Sequence, residues 1–236
     1  MIEVVSETGS TNADLAARIA SGERITEGTW LVADRQRAGK GRQGRTWFDG
    51  AGNFMGSTVV HIGAGDPPAG TLALAVALAV AEAVAPHIPP PLRPVLKWPN
   101  DVMIGAAKLS GVLLEMVGST VIVGIGVNLA AAPDLPDRET IALARFGAAP
   151  DRDLFAAYLA RHVDAELARW RTYGLAPIIA RWLALAHPAG TPLQVGESGE
   201  EPLKGHFAGL ADDGALQLRL ADGTTRTIHA GEVRLA

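Results

Sequence analysis

Short apolar runs predict two strands in the first quarter of the chain. Residues 28–33 are largely apolar, and residues 53–61 end in a β-branched run. Runs of this length that are bounded by glycine, asparagine or aspartate are typical of buried strands. The stretch between them, residues 38–47, is polar and rich in glycine. The pattern therefore predicts a glycine-rich loop that joins two strands.

Helical periodicity predicts four helices. Residues 152–172 place apolar side chains at i, i+3 and i+4 spacing, which is the pattern of an amphipathic helix. Residues 71–85 are rich in alanine and predict a buried helix, and residues 13–20 and 175–186 also predict helices.

The start of the first helix has two interpretations. Thr11 and Asp14 have the spacing of a capping box, with aspartate in place of the usual glutamate. On the simpler interpretation, Ser10, Thr11 and Asn12 only begin a helix, because these residue types dominate N-caps. On the other, they form a polar rim that binds a small ligand by hydrogen bonds.

The remaining pattern is β-rich. Residues 94–129 predict a meander of three or four buried strands, and residues 130–150 predict a surface loop rich in proline and alanine. Residues 191–236 hold short alternating runs separated by Asp-Gly turns, which is a strong hairpin signal and predicts a small barrel. We therefore expect two domains, residues 1–188 and 189–236.

Composition narrows the class of protein. The chain has 236 residues, 48% of them hydrophobic, with a net charge of -4. An acidic balance argues against a dedicated DNA-binding protein. The absence of cysteine excludes disulfides and thiolate zinc sites. The N-terminus lacks a signal-peptide pattern, and the most apolar stretch, residues 71–85, is shorter than the roughly 20 residues of a membrane span. We expect a cytoplasmic protein.

The basic loop is the main chemical feature. Residues 38–47 carry three glycines, the cations Lys40, Arg42 and Arg45, and Trp47. Glycine lets a backbone approach a ligand closely, and these cations bind phosphate or carboxylate. The loop also matches the dinucleotide fingerprint G-x-G-x-x-G, but that fingerprint requires a helix at its third glycine, and here a strand is predicted. The loop therefore predicts an anion site other than a Rossmann fingerprint.

Two further lysines lie in the apolar meander. Lysine is rarely fully buried without a partner, so Lys97 and Lys108 either require anionic partners or extend to solvent. Asn100 and Asp101 between them are either turn residues or polar contacts to a ligand. The histidines show no metal-binding helix spacing, and the chain has no G-x-S-x-G nucleophile motif.

Taken in order, these motifs resemble the biotin protein ligase family from about Ser6 to the C-terminus. The most specific parts are Lys97-Trp98-Pro99-Asn100-Asp101 and Lys108-Leu109-Ser110-Gly111. The family usually carries Gly-Arg-Gly-Arg-Arg-Gly in the loop, and here Lys40 and Gln43 replace two arginines. The resemblance implies an α+β fold, a mixed or antiparallel sheet with helices like the class II synthetases, followed by an SH3-like barrel. It also implies a monofunctional ligase without the N-terminal DNA-binding domain of some members.

The resemblance implies a two-step reaction. ATP with Mg²⁺ activates biotin to biotinyl-5′-AMP, and the biotin passes to a lysine of a biotin carboxyl carrier domain, with neither DNA nor membrane as partner. Metal is expected only with ATP. The implied catalytic residues are Lys108, Arg42 and Arg45. The implied biotin-binding residues are Ser10, Thr11, Asn12, Gln36, Lys40, Gly41, Arg42, Lys108 and Gly111. The implied ATP-binding residues are Arg42, Arg45, Trp47, Lys97, Asn100 and Lys108.

The resemblance also implies roles for single residues, and it leaves three alternative functions open. Lys108 is expected at the biotin carboxylate and α-phosphate, Trp47 near adenine, and the basic loop as a lid. A lipoate–protein ligase of the same fold is the nearest alternative, although the Lys-Trp-Pro-Asn-Asp block favours biotin. A non-catalytic biotin or adenylate sensor is a second alternative, and a DNA-binding regulator is a third.

Overall fold

A seven-stranded mixed sheet forms the centre of the larger part of the chain. The computed structural model describes residues 1–196 and 201–235. The sheet order is β1-β2-β3-β7-β6-β5-β4, and only β1 and β2 pair in parallel. Its strands are β1 (Ile2–Val5), β2 (Trp30–Ala33), β3 (Phe54–His61), β4 (Pro94–Lys97), β5 (Asp101–Ile104), β6 (Ala107–Val117) and β7 (Thr120–Val127). The predicted meander of three or four strands has four, and it and the mixed sheet are confirmed.

Helix α1 (Thr11–Ala20) begins two residues earlier than the pattern predicts. The capping-box prediction was wrong, because Ser10 is the N-cap and Thr11 is already helical. Ser10 has extended backbone angles, φ -161° and ψ 128°, and its Oγ accepts a hydrogen bond from the Ala13 N–H at 3.5 Å. Asp14 instead accepts a hydrogen bond from the Thr8 hydroxyl.

Three other helices pack on the sheet and on one another. They are α2 (Leu72–Val84), α3 (Arg152–Tyr173) and α4 (Leu175–Leu185). Among the described residues, one helical stretch, Ala69–His87, has the length and hydropathy of a membrane span, but 72% of its most apolar window is buried inside the protein. All of its leucines and most of its alanines are core residues, which α3 and the sheet cover.

The C-terminal part forms a second, five-stranded antiparallel sheet. Its strands are β8 (Pro192–Gly196), β9 (Leu203–Leu210), β10 (Leu216–Arg219), β11 (Thr225–Ile228) and β12 (Glu232–Leu235), in the order β11-β10-β9-β8-β12. Gly214 and Gly223, at φ 84° and 85°, occupy the predicted hairpin turns. The predicted barrel is not closed, because the end strands β11 and β12 do not pair with each other in the described part of the chain.

The two sheets are joined by polar and apolar contacts. The Trp98 indole N–H donates to the Gly214 carbonyl at 3.1 Å, and Lys97 Nζ donates to the Val233 carbonyl at 3.0 Å. Trp182 of α4 and Phe207 of β9 pack with ring centroids 6.5 Å apart. The predicted boundary near residue 188 lies between α4 and β8, and the division into two domains, residues 1–188 and 189–236, stays a prediction.

Candidate active site

One large cavity lies on the sheet beside the N-terminus of α1. It has a volume of about 540 Å³ and is bounded by the basic loop, by residues 133–140 and by the start of β12. All thirteen residues named above as site candidates line it: Ser10, Thr11, Asn12, Gln36, Lys40, Gly41, Arg42, Arg45, Trp47, Lys97, Asn100, Lys108 and Gly111. Tertiary structure therefore brings together residues from five separate stretches of sequence.

A buried, uncharged network of hydrogen bonds forms one end of the cavity. The Thr11 backbone N–H donates to Gln36 Oε1 at 2.7 Å, and the Thr11 and Ser57 hydroxyls lie 2.6 Å apart. The Ser57 hydroxyl donates to Asn12 Oδ1 at 2.6 Å. Each of these four side chains is less than a tenth exposed. Ser10 caps the helix, whereas Thr11 and Asn12 both begin the helix and present polar groups to the cavity.

Asn12 can lie against the sheet because position 124 has no side chain. A Cβ at Gly124 would overlap Asn12 Oδ1. On the other side of its amide, Asn12 Nδ2 donates to Glu115 Oε2 at 2.6 Å. Glycine at position 124 is therefore required for the close approach of α1 to the strand β7.

A lysine pair that shares one carboxylate forms the other end. Asp101 lies 2.8 Å from Lys97 Nζ and 2.6 Å from Lys108 Nζ, and it is 6% exposed. Burial alone would raise the pKa of Asp101, but Lys108 and Lys97 reverse this effect and hold the pKa well below its usual range. Asp101 therefore stays ionised and fixes both ammonium groups beside the cavity.

Arg42 extends from the basic loop towards this cationic end. It donates to Asn100 Oδ1 at 3.3 Å and to the Gly231 carbonyl at 3.0 Å. Burial lowers the pKa of the Arg42 guanidinium, and the Asp101 carboxylate counters part of this. Asn100 is held in turn, since its Nδ2 donates to the Val112 carbonyl at 2.6 Å.

The basic loop is a short hairpin rather than the start of a helix. The Gly41 N–H donates to the Arg45 carbonyl at 2.7 Å, and the Trp47 N–H donates to the Gly39 carbonyl at 2.8 Å. Its tip needs left-handed backbone at Gln43, φ 56°, and at Gly44, φ 71°. The prediction that the loop joins two strands is confirmed, and with it the exclusion of the dinucleotide fingerprint.

The loop is attached to the C-terminal sheet at a second point. Arg45 forms an ion pair with Glu232 at the start of β12. Burial lowers the pKa of Arg45, and repulsion from Arg138 adds to the effect. The loop thus lines the cavity, and two of its arginines contact the C-terminal part of the chain.

Trp47 lies across the glycines of two neighbouring strands. A Cβ at Gly126 would overlap the Trp47 ring, and a Cβ at Gly111 would lie 3.3 Å from Trp47 Cζ3. Gly111 and Gly126 pair directly across β6 and β7, and Lys108 Nζ lies 5.7 Å from the Trp47 ring centroid. The glycines therefore make the space that this ring occupies. The expected contact of Trp47 with adenine stays a prediction.

Sequence reasoning missed several residues of the site. Ser57, Arg138 and Glu232 line the cavity without belonging to any of the motifs considered, and Asp101 was left open between a turn and a ligand contact. A signal existed only for Asp101, because two lysines in an apolar meander require an anion and the adjacent Asp supplies it. The segment predicted to be a surface loop contributes Arg138 and other lining residues.

The charge of the cavity favours anionic ligands. Six cationic side chains and three carboxylates line it. Within residues 1–196 and 201–235, no three His, Asp or Glu side chains are grouped so that they could hold a metal ion. The arrangement can hold an acidic ligand at the lysines while an uncharged polar group lies at the buried network.

The comparisons with known proteins agree along the whole chain. A model described as the biotin/lipoate A/B protein ligase family matches residues 8–130, and a biotin protein ligase C-terminal domain model matches residues 194–235. The chain therefore belongs to the biotin/lipoate A/B protein ligase family.

Named relatives lie on the biotin side of that family. The chain is 39% identical to a biotin–[acetyl-CoA-carboxylase] ligase of Paracoccus denitrificans, with 98% of each chain covered. It is 38% identical to the enzyme of the same name from Mycobacterium tuberculosis, with 98% of this chain and 88% of the relative covered. The biotin protein ligase of Aquifex aeolicus in complex with biotin and ATP superposes with a TM-score of 0.86 at 26% identity, covering 100% of this chain and 99% of that one.

Proposed function

We propose that this protein is a biotin–[acetyl-CoA-carboxylase] ligase. It activates biotin with ATP to biotinyl-5′-AMP and transfers the biotin to one lysine of a biotin carboxyl carrier domain. The observation that carries the proposal is the two-ended cavity, which has a buried neutral network at one end and the Lys97–Asp101–Lys108 cluster at the other. Biotin has the matching form, an uncharged ureido ring at one end and a carboxylate at the other.

The strand geometry supports this orientation of biotin. Asn12 lies over Gly124, whereas Trp47 and Lys108 lie near Gly126 and its partner Gly111. Two residues along a strand span about 7 Å, so the network and the lysines are a short molecule's length apart. The ring would bind at Thr11, Asn12 and the residues around them, and the carboxylate would bind towards Lys108.

Lys108 is placed to act in the first step. A biotin carboxylate oxygen attacks the α-phosphorus of ATP, the bond from that phosphorus to the bridging oxygen breaks, and pyrophosphate leaves. Both reactants are anions, so the site has to offset their repulsion and then stabilise the charge of the transition state. Lys108 would contact the carboxylate and the α-phosphate, while Lys97, Asn100, Arg42 and Arg45 would hold the phosphates.

Mg²⁺ would enter with ATP rather than occupy a site made only of protein. Asp101, the carboxylate between the lysines, is already engaged by both, and it therefore suits the positioning of ammonium groups better than metal ligation. When bound, the ion would neutralise phosphate charge.

In the second step, the mixed anhydride biotinyl-5′-AMP has to be protected from water. The amine of the acceptor lysine attacks the biotinyl carbonyl carbon, an amide forms, and AMP leaves. Hydrolysis of the anhydride competes with this attack. The basic loop, attached through Arg42 and Arg45 to the C-terminal sheet, would keep water out until the carrier arrives.

The acceptor follows from the chemistry of the proposed reaction. The partner would be a biotin carboxyl carrier protein or the equivalent domain of another biotin-dependent carboxylase. The protein would act in the cytoplasm and without a membrane partner, and its net charge of -4 supports a function without DNA as a partner.

The test is to incubate the protein with ATP, Mg²⁺, biotin and a carrier domain, and to detect labelling with streptavidin. We expect labelling that depends on ATP and on the acceptor lysine of the carrier. A parallel reaction with lipoate and a lipoyl domain tests the alternative within the family. If a carrier that another ligase can label stays unlabelled here, the proposal is wrong, and lipoate incorporation without biotin incorporation would replace it.

A further inference from the structure

A chain of side-chain hydrogen bonds leads from the protein surface to the floor of the cavity. It begins at the exposed residue Glu115 on β6, passes to Asn12 at 2.6 Å, then to Ser57 at 2.6 Å, and ends at Thr11 at 2.6 Å. Glu115 does not line the cavity, whereas the other three residues do. The carboxylate therefore acts on the site only through Asn12.

The carboxylate sets the direction of the hydrogen bonds in this chain. An ionised carboxylate only accepts, so Asn12 turns its Nδ2 towards Glu115 and its Oδ1 towards Ser57. Ser57 then gives its one proton to Asn12 Oδ1. The 2.6 Å contact between Thr11 and Ser57 then takes its proton from Thr11, whose hydroxyl has Gln36 Oε1 as a second acceptor at 3.1 Å. Both hydroxyl protons are therefore directed at protein acceptors rather than at a ligand.

This direction determines which ligand groups the cavity accepts. With their protons committed, the Thr11 and Ser57 oxygens have only acceptor lone pairs to offer. They are 3% and 1% exposed, so a ligand group that could not donate to them would leave a buried acceptor unsatisfied. Without Glu115, the Asn12 amide can rotate and donate to Ser57, and the Ser57 proton then turns towards Thr11. The Thr11 proton is thereby released from Ser57, and the Thr11 oxygen has one acceptor site fewer to offer the ligand.

We propose that Glu115 is a positioning residue that makes Thr11 and Ser57 acceptors for an N–H donor of the ligand. The inference rests on the proposed function, in which that donor is a ureido N–H of biotin. Glu115 thus determines specificity without touching the substrate. Gly124 contributes to the same arrangement, because it leaves room for the Asn12 amide.

The experiment compares Glu115→Ala and Glu115→Gln with wild type by biotin-dependent pyrophosphate release. Glu115→Ala should raise the KM for biotin by about tenfold, the scale of one hydrogen bond to a charged group, and leave the KM for ATP unchanged. Glu115→Gln should stay close to wild type, because its amide oxygen can still accept from Asn12. Gly124→Ala should reproduce the effect of Glu115→Ala by displacing Asn12, and Asp212→Ala, an exposed carboxylate of the C-terminal sheet, should change nothing.

Two lactam analogues of biotin, each with one ureido NH replaced by CH₂, test the role of the N–H donor directly. The ratio of the KM for each lactam to the KM for biotin would not change if Glu115 only stabilised the fold. Wild type should discriminate against at least one lactam, and Glu115→Ala should narrow that discrimination. The proposal would be overturned if Glu115→Ala left the KM for biotin unchanged. It would also be overturned if Glu115→Ala left the ratio of the KM for the lactam to the KM for biotin as in wild type. Wild-type protein that releases no pyrophosphate with biotin would instead overturn the proposed function, and the inference with it.

Discussion

At the scale of single residues, the site depends on one carboxylate that serves two lysines. Asp101 contacts both Lys97 and Lys108, and the side chains of these lysines are less than a fifth exposed. Neither lysine extends freely to solvent, which was the alternative that the sequence allowed. The arrangement holds two positive charges beside the cavity before any anionic substrate arrives.

Lys108→Ala should abolish adenylate formation and leave the fold intact. The variant removes the ammonium group expected at the reacting carboxylate and phosphate, whereas Asp101 keeps Lys97 as a partner. Pyrophosphate release and far-UV circular dichroism measure the two effects. Lys204→Ala, at an exposed lysine of β9, is the control and should keep full activity. Release at a near wild-type rate in Lys108→Ala would remove this lysine from the mechanism.

Asp101→Asn should lower the free energy of unfolding at pH 7 by roughly 3 kcal/mol, because two partly buried lysines lose their charged partner. The folded-state pKa of Asp101 lies below its ordinary value of 3.8. Its contribution is therefore present above that value and is lost as the pH falls through the folded-state pKa.

The difference in the free energy of unfolding between wild type and Asp101→Asn should accordingly become smaller as the pH falls from about 5 to about 3. Urea unfolding across this range measures it, with Asp212→Asn as a control that shows no gap. A gap that stays constant down to pH 3 would mean that the charge of Asp101 does not stabilise the fold.

At the scale of elements, the basic loop is a hairpin attached at both its arginines. Arg42 contacts Asn100 of the first sheet's β4–β5 turn and Gly231 before β12, and Arg45 contacts Glu232. A loop rich in glycine has many conformations to lose when it closes. The arginine contacts are the part of the structure that offsets this entropy.

Arg42→Gly should give an enzyme that forms biotinyl-5′-AMP but releases it. The substitution deletes two contacts of the loop and adds backbone freedom, so the lid closes less completely. Biotinyl-5′-AMP in the filtrate after rapid ultrafiltration measures the release. Arg37→Gly, at an arginine whose side chain is 76% exposed, is the control. Retention of the intermediate as in wild type would count against the lid.

At the scale of the whole molecule, the second sheet completes the site. Lys97 donates to Val233, Trp98 donates to Gly214, and Glu232 lines the cavity. Apolar side chains of both sheets also belong to one hydrophobic cluster, among them Leu96 and Leu216. The stability of the two parts is therefore expected to be coupled.

Trp98→Phe should destabilise the protein by about 1 kcal/mol, because it keeps an aromatic ring but deletes the hydrogen bond to Gly214. Trp30→Phe is the matched control, since the Trp30 indole N–H is buried and has no partner among the described residues. Urea unfolding of both variants separates the hydrogen bond from the change in ring size. Equal destabilisation by the two substitutions would show that the Trp98 hydrogen bond contributes nothing.

The sequence by itself determined the elements and the chemistry of this protein. Periodicity predicted the helices and the β-meander, since amphipathic spacing is a local property of the chain. The residue types of residues 38–47 and of Lys97 and Lys108 predicted an anion site, because few other side chains bind anions. The Asp-Gly turns predicted the hairpins of the second sheet.

Only the tertiary structure decided which groups meet. That Asp101 serves both lysines, that Glu232 receives Arg45, and that Glu115 orients Asn12 each depend on strand register and on packing between distant segments. A hydrogen bond acts over about 3 Å, whereas Asn12 and Glu115 are separated by 103 positions in the chain. Such contacts produce no local pattern in the sequence. The residues that form them can therefore be recognised as partners only in the folded structure.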